Sequence, residues 1–484
     1  MPKHTKFTID PCTGQVQKQI VQATPTIHVS SPLTSLPTTR GRGRGRGQSV
    51  NSQRGSRSDV RPSRVSSDRR DGMEGVEKQR GVIGDVNLAE NQFSADLFKC
   101  LMENGDGNVV VSPFSIFVAL AMTLMGAREQ TFTEMVDGLR LKESFKLCGE
   151  DFQQWKQEAL QPYLKSIKQL MSDQNDTLSV ANGIFVEKTM PVRADFIQVL
   201  NELFDAAPES SNFKQDCQGE VAKINKWVED KTGNLIKNLL SPPCITNLTR
   251  MVLVNAIYFL GHWQTKFQQT NQFQKSAFRH VGDPHGENTN VVMMRITATR
   301  FPYSEDHDYK WVQLPYKNED YCMTFVIPKN HIDLNEDTEK EFDNWICEQL
   351  KDMRNLKLSH KVDMNRVCIP KFKIEYTNEN LGDVLQSNPF NIKLAFRKGH
   401  ADFTGMVDRE VDELSISKVV HKSFVEVDEN GTKAAAATAV VMRGRGGGRS
   451  VKKEKEFDAD RPFVFILHHL PSSTILFTGK INKL

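Results

Sequence analysis

The chain has 484 residues, 63 Lys/Arg against 60 Asp/Glu, 38% hydrophobic and 25% charged residues, which leaves enough apolar material for a large core. Its longest mostly apolar stretch, Phe117 to Ala127, falls well short of the roughly 20 residues a membrane-spanning helix needs, and this excludes a helical membrane protein. The formal charge of +3 averages two unlike parts: residues 1–83 hold 15 Lys/Arg and 6 Asp/Glu, net +9, and residues 84–484 hold 48 and 54, net −6. At about 150 residues per domain, length alone suggests roughly three domains.

Residues 1–83 contain Arg40-Gly41-Arg42-Gly43-Arg44-Gly45-Arg46-Gly47 and then a Ser/Arg-rich stretch to Arg70 without apolar periodicity. Such a segment buries too little apolar surface to offset the entropy of ordering, so a disordered basic extension is expected. It is either a solvated spacer or a polyanion contact, nucleic acid or glycosaminoglycan, through Arg40, Arg42, Arg44 and Arg46. The first 30 residues hold no 7–15-residue apolar run and no small-residue cleavage site, so the chain as written reads as intracellular. Eight cysteines without C-x-x-C spacing point to buried or free thiols rather than a zinc site. Sequons stand at Asn175, Asn247 and Asn430.

Along the body, Phe93, Leu97 and Leu101 recur every fourth position, one face of a helix that ends in the turn Asn104-Gly105-Asp106-Gly107. Val109-Val110-Val111 reads as a short buried strand. Ser112-Pro113 then starts a helix, the hydroxyl capping a free amide and the proline standing where no donor is needed. Phe117 to Met122 is apolar nearly all round, which makes this helix central. Met251 to Phe259 suits a central strand, with Asn255 as an amide that requires a partner. In a strand over Leu414 to Asp428, the period of two sets Val419, His421, Val425 and Val427 on one face. Arg461 to Leu467 and Thr474 to Gly479 form a buried hairpin. Helices cluster early and strands late, an α+β order. No G-x-S-x-G, H-E-x-x-H, P-loop or paired C-x-x-C is present, so no enzyme is indicated.

Between the last long strand and the hairpin lies Glu429-Asn430-Gly431-Thr432-Lys433-Ala434-Ala435-Ala436-Ala437-Thr438, followed by Ala439 to Met442 and the Arg/Gly-rich Arg443 to Arg449. A loop of this length is functional or disordered, and its bland reading is a linker with a short alanine helix. The segment resembles the mobile reactive loop of the serpin family of serine protease inhibitors. Further stretches are similar to that family's motifs in the family's order: Asn108 to Gly126, Ile224-Asn225-Lys226-Trp227-Val228 with Thr232-Gly233, Leu253 to Phe259 with Gly261-His262-Trp263, Ile369-Pro370-Lys371-Phe372, Ala401-Asp402-Phe403-Thr404-Gly405 and Asp460 to Phe465. Together they cover about residues 84–484.

The resemblance implies a single α+β serpin domain with three β-sheets, eight or nine helices and an exposed reactive loop at about 429–457. It implies a monomeric protease inhibitor without a cofactor, with the extracellular space as the family's common alternative location. In inhibitory members a serine protease attacks the loop and forms an acyl-enzyme. The cut loop then inserts as a new strand in the largest sheet, carrying the protease along and distorting its active site. Glu429, Gly431, Thr432, Ala434, Ala435, Ala436, Ala437 and Thr438 match the hinge. With Thr432 facing in, Ala434, Ala436 and Thr438 also face in, and the one charge, Lys433, faces out. A glycan on Asn430 would sit at this hinge. Counting seventeen residues from Glu429, as the family does, gives Arg445-Gly446 as the reactive bond, an arginine bait for a trypsin-like protease. Arg443 and Arg449 are rival positions. Ser112, Ser115, Asn255 and His421 match the family's shutter, where the sheet parts, and Trp263 matches the breach at its top.

Overall fold

The computed structural model describes residues 4–9, 16–21, 68–105, 107–171, 178–268, 275–278, 289–329, 336–356, 358, 360–408, 414–432 and 455–484. Arg40, Arg42, Arg44, Arg46, Ala434, Ala435, Ala436, Ala437, Thr438, Arg445 and Gly446 lie outside the described residues. The chain divides into two units, Met1–Val65 and Ser66–Leu484. In the first, His4–Ile9 and Val16–Val21 pair as an antiparallel hairpin. The boundary drawn at residue 83 falls inside a helix, because Asp68–Glu103 is continuous.

Phe93, Leu97 and Leu101 of that helix are buried in the core. The following helix, Pro113–Leu124, begins as its sequence dictates: Ser112 has extended backbone, its Oγ accepts from the Ser115 amide at 3.3 Å, and every residue of the helix is buried. Phe152–Trp155 and Gln161–Met171 are joined by a π-helical turn, Lys156–Leu160, into one helix. Counted so, the described residues contain nine α-helices.

The large sheet runs Glu209–Ser211, Leu178–Glu187, Met251–Phe259, Ile416–Val427, with Phe372–Asn378 on the outer edge of Ile416–Val427. Its centre is unusual. Met251–Phe259 and Ile416–Val427 pair in parallel from Ile416↔Met251 to Phe424↔Tyr258, yet each pairs antiparallel with its neighbour on the other side. Parallel ladders are slightly less stable per residue than antiparallel ones. A strand entering this seam in the opposite direction would replace one parallel ladder by two antiparallel ones.

The 17-residue strand Thr289–Glu305 joins two further sheets. Its residues 293–302 pair with Lys361–Pro370, and residues 303–305 pair with Tyr309–Pro315. The latter sheet continues through Tyr321–Pro328 to the C-terminal hairpin Phe463–His469 and Thr474–Ile481, and ends on Val109–Val111. The α+β, three-sheet expectation therefore holds within Ser66–Leu484, and the three-domain prior does not. Cys100, Cys148, Cys217, Cys244, Cys322, Cys347 and Cys368 are free thiols, four of them buried. Among the described residues no helix is long and apolar enough to cross a membrane.

Candidate functional site

Asn255 and His421 face each other across the parallel seam, both within 1% of full burial. Burial without charge compensation favours the neutral imidazole and pushes the His421 pKa down to about 3. The hydrogen bonds then assign themselves. His421 Nε2 accepts from the Ser112 amide at 3.3 Å, which leaves Nδ1–H to donate to Asn255 Oδ1. Ser115 Oγ donates to the same Asn255 oxygen at 2.8 Å, and Asn255 Nδ2 donates to Asn182 Oδ1. Ser423 Oγ, two residues along the same face, donates to the Val110 carbonyl at 2.6 Å. The sheet's two halves are thus tied to each other and to the start of helix Pro113–Leu124 by one satisfied polar network.

Ser112, Ser115, Asn255 and His421 are brought together here, the grouping the family resemblance implies. Asn182 escaped notice, although it is the same oddity as Asn255, an amide inside the otherwise β-forming run Leu178–Glu187. It lies directly opposite Asn255 in the antiparallel register.

The sign of the histidine effect follows from its lowered pKa. The folded state binds fewer protons than the unfolded one, so the stabilisation is complete above about pH 6.5 and is lost as pH falls towards 3. His421→Gln is therefore expected to cost progressively less as the medium is acidified. Its destabilisation relative to wild type should shrink by about 1.4 kcal/mol per pH unit between pH 6 and pH 4. Denaturation midpoints across that range check this; a difference independent of pH would mean that His421 is charged in the fold.

Trp263 lies at the upper end of the same seam. Its ring is buried and stacks on Tyr316, with centroids 4.5 Å apart and planes 18° from parallel. Trp263 Nε1 donates to the Asp428 carbonyl at 3.0 Å, and its amide donates to the Asn430 carbonyl at 2.9 Å. Asp428 closes a turn, its Oδ1 accepting from the amides of Asn430 at 2.7 Å and Gly431 at 3.1 Å. Glu429 pairs with Lys371 at 3.1 Å. Gly431 touches the backbone opposite so closely that a Cβ there would sit 1.8 Å from the Gly261 carbonyl oxygen, which only glycine avoids. Thr432 is 1% exposed, and its hydroxyl meets Tyr316 OH at 2.6 Å. Thr432 therefore faces in, as expected.

Gly431–Thr432 is itself a short strand. It pairs antiparallel with Val427 on one side and with Gly261–His262 on the other. The base of the long loop thus already occupies the top of the seam.

The family model described as "Serpin (serine protease inhibitor)" matches residues 88–484. Leukocyte elastase inhibitor of Equus caballus is 31% identical over 402 residues, covering 82% of this chain and 99% of that protein. Serpin B4 of Homo sapiens is 32% identical over 417 residues, covering 83% and 100%. Among solved structures, Serpin48 of the insect Tenebrio molitor aligns with a TM-score of 0.69 at 29% identity, covering 83% of this chain and 98% of that one. The family match and these relatives indicate a protease inhibitor rather than an enzyme. The chain belongs to the serpin family.

Proposed function

We propose that this chain traps a trypsin-like serine protease covalently, with Arg445-Gly446 as the reactive bond and the Ser112–Ser115–Asn255–His421 cluster as the gate through which the cut loop enters. The carrying observation is that Gly431–Thr432 is already paired on both sides at the top of a parallel seam. Continued without a bulge, each further loop residue moves one position back along both flanking strands. Thr438 would then stand opposite His421 on one side, counting from Thr432↔Val427, and opposite Asn255 on the other, counting from Thr432↔Gly261. These two residues are already partners across the seam. Both registers thus lead to the polar cluster, as the parallel pairing of the flanking strands requires, and there the Thr438 hydroxyl would take over bonds that the parting seam gives up. Lys433, which faces the other way, would stand opposite Glu426, a charge complement for the one cation in the hinge.

The same register bears on the reactive bond. Residues 432–443 would match the twelve residues of Ile416–Val427, and Arg445 would fall two positions past the end. In the chemical step the protease serine Oγ attacks the Arg445 carbonyl. The Arg445–Gly446 amide bond breaks, the serine proton goes through the protease's general base to the leaving Gly446 amine, and an ester joins Arg445 to the protease. Water would hydrolyse that ester, so trapping requires insertion to outrun it. Glycine at 446 and 444 leaves the bait unencumbered for attack.

The elastase in the name of the equine relative belongs to that protein. Here all three candidate positions, Arg443, Arg445 and Arg449, carry arginine, which fits the acidic specificity pocket of trypsin-like proteases. After brief incubation with trypsin, the released C-terminal fragment is expected to begin at Gly446. A fragment beginning at Ser450 would move the bond to Arg449 and add four residues to the insert. The polyanion alternative, in which inhibition is secondary or absent, rests on Arg40, Arg42, Arg44 and Arg46 and on the Arg/Gly-rich segment 443–449, all outside the described residues.

A further inference from the structure

Beside the polar cluster the surface opens into a pocket of about 290 Å³, lined by strand Leu178–Glu187, by Val118 and Met122 of helix Pro113–Leu124, and by the ends of helices Ala194–Phe204 and Cys217–Lys231. Asn182 lies in its wall. Its Oδ1 is taken by Asn255 Nδ2, and among the described residues its own NH2 has no hydrogen-bond partner. The Phe204 and Trp227 rings supply apolar wall; Trp227 packs edge-on against Phe185 at 5.4 Å between centroids. At the rim stands Glu209, half-buried and without an ion-pair partner among the described residues. The other rim charges are spoken for: Asp205 pairs with Lys168 at 3.5 Å, and the Lys231 ammonium lies 5.9 Å over the Trp227 ring.

We propose that this pocket is an effector site for a small hydroxylated aromatic amine. A phenol oxygen would accept from the free Asn182 NH2, the ring would pack between Phe204 and Trp227, and the ammonium would pair with Glu209. Such a ligand touches both Leu178–Glu187, which belongs to one half of the sheet, and helices that the sheet must slide past when the seam parts. Filling the pocket holds the two in register, and Asn182 passes the occupancy to Asn255 and His421. The binding arm stands whether or not the chain traps a protease.

Tyramine is the probe. By titration calorimetry it is expected to bind the full chain saturably below millimolar concentration. Either 4-ethylphenol, which lacks the ammonium, or phenethylamine, which lacks the hydroxyl, should bind at least fivefold more weakly. Glu209→Gln should remove the preference for tyramine over 4-ethylphenol and leave 4-ethylphenol binding unchanged. The His421 imidazole resonances should move on titration with tyramine. Ala207→Phe, which fills the pocket from its wall, should abolish both effects with the unfolding midpoint retained. Two results would overturn the site: no saturable binding at 5 mM, or equal binding by wild type and Ala207→Phe. Binding with unmoved His421 resonances would overturn the coupling to the polar cluster.

Discussion

Thr438→Glu is expected to turn the inhibitor into a substrate. Cleavage by trypsin should proceed at the wild-type rate, because the substitution lies seven residues before the reactive bond, whereas the covalent fraction should fall at least tenfold. Thr438 would enter the seam between Asn255 and His421, both essentially without solvent contact. A carboxylate there has no cation to meet, since His421 is held neutral by its burial. Desolvating an unpaired charge costs several kcal/mol, enough to stall a strand that must zip past this point before water reaches the ester. Thr438→Ser should trap as well as wild type, and Thr438→Val should be intermediate, since its shape fits and only the hydroxyl is lost. A trapped fraction for Thr438→Glu equal to wild type would remove this residue from the inserted strand.

Asn255→Ala is expected to be the most destabilising single change in the polar cluster. It leaves two groups without partners, the buried His421 Nδ1–H and the half-buried Asn182 side-chain oxygen. At about 1–3 kcal/mol for each unsatisfied group, the expected loss is on the order of 2–5 kcal/mol. The Ser115 hydroxyl keeps a partner, because it also donates to the Ser112 carbonyl oxygen at 3.1 Å. Because the cluster closes the seam, the variant should also insert its own uncut loop over time and lose activity on storage at 37 °C. Denaturation midpoint and residual activity against incubation time measure the two effects; a midpoint within 0.5 kcal/mol of wild type would show that the network contributes nothing to the closed state.

The sequence discloses the local parts of this molecule better than their meeting. Ser112-Pro113 marks a helix start because capping and proline geometry are local chemistry, and the helix begins there. The alternation in Leu414 to Asp428 puts His421 on a buried face because a strand's period is fixed by its backbone. What no local pattern discloses is that Met251–Phe259 and Ile416–Val427, separated by more than 150 residues, run parallel and bring Asn255 to His421. That pairing became readable only through family resemblance. Tyr316 left no trace at all, since an aromatic residue after a proline looks like any turn, yet its ring supports Trp263 and its hydroxyl holds Thr432. The length prior failed because three sheets share one core here, with Thr289–Glu305 running through two of them.

The loop base at the top of the seam makes one expectation primary: when cut, this chain keeps its protease. Equimolar protein and trypsin, mixed at neutral pH and run on a denaturing gel, should give an adduct that survives SDS and boiling, at close to one protease per inhibitor. Its appearance should coincide with release of the C-terminal fragment and with a large rise in the thermal stability of the inhibitor body. Complete cleavage with free, active trypsin and no adduct would contradict the account.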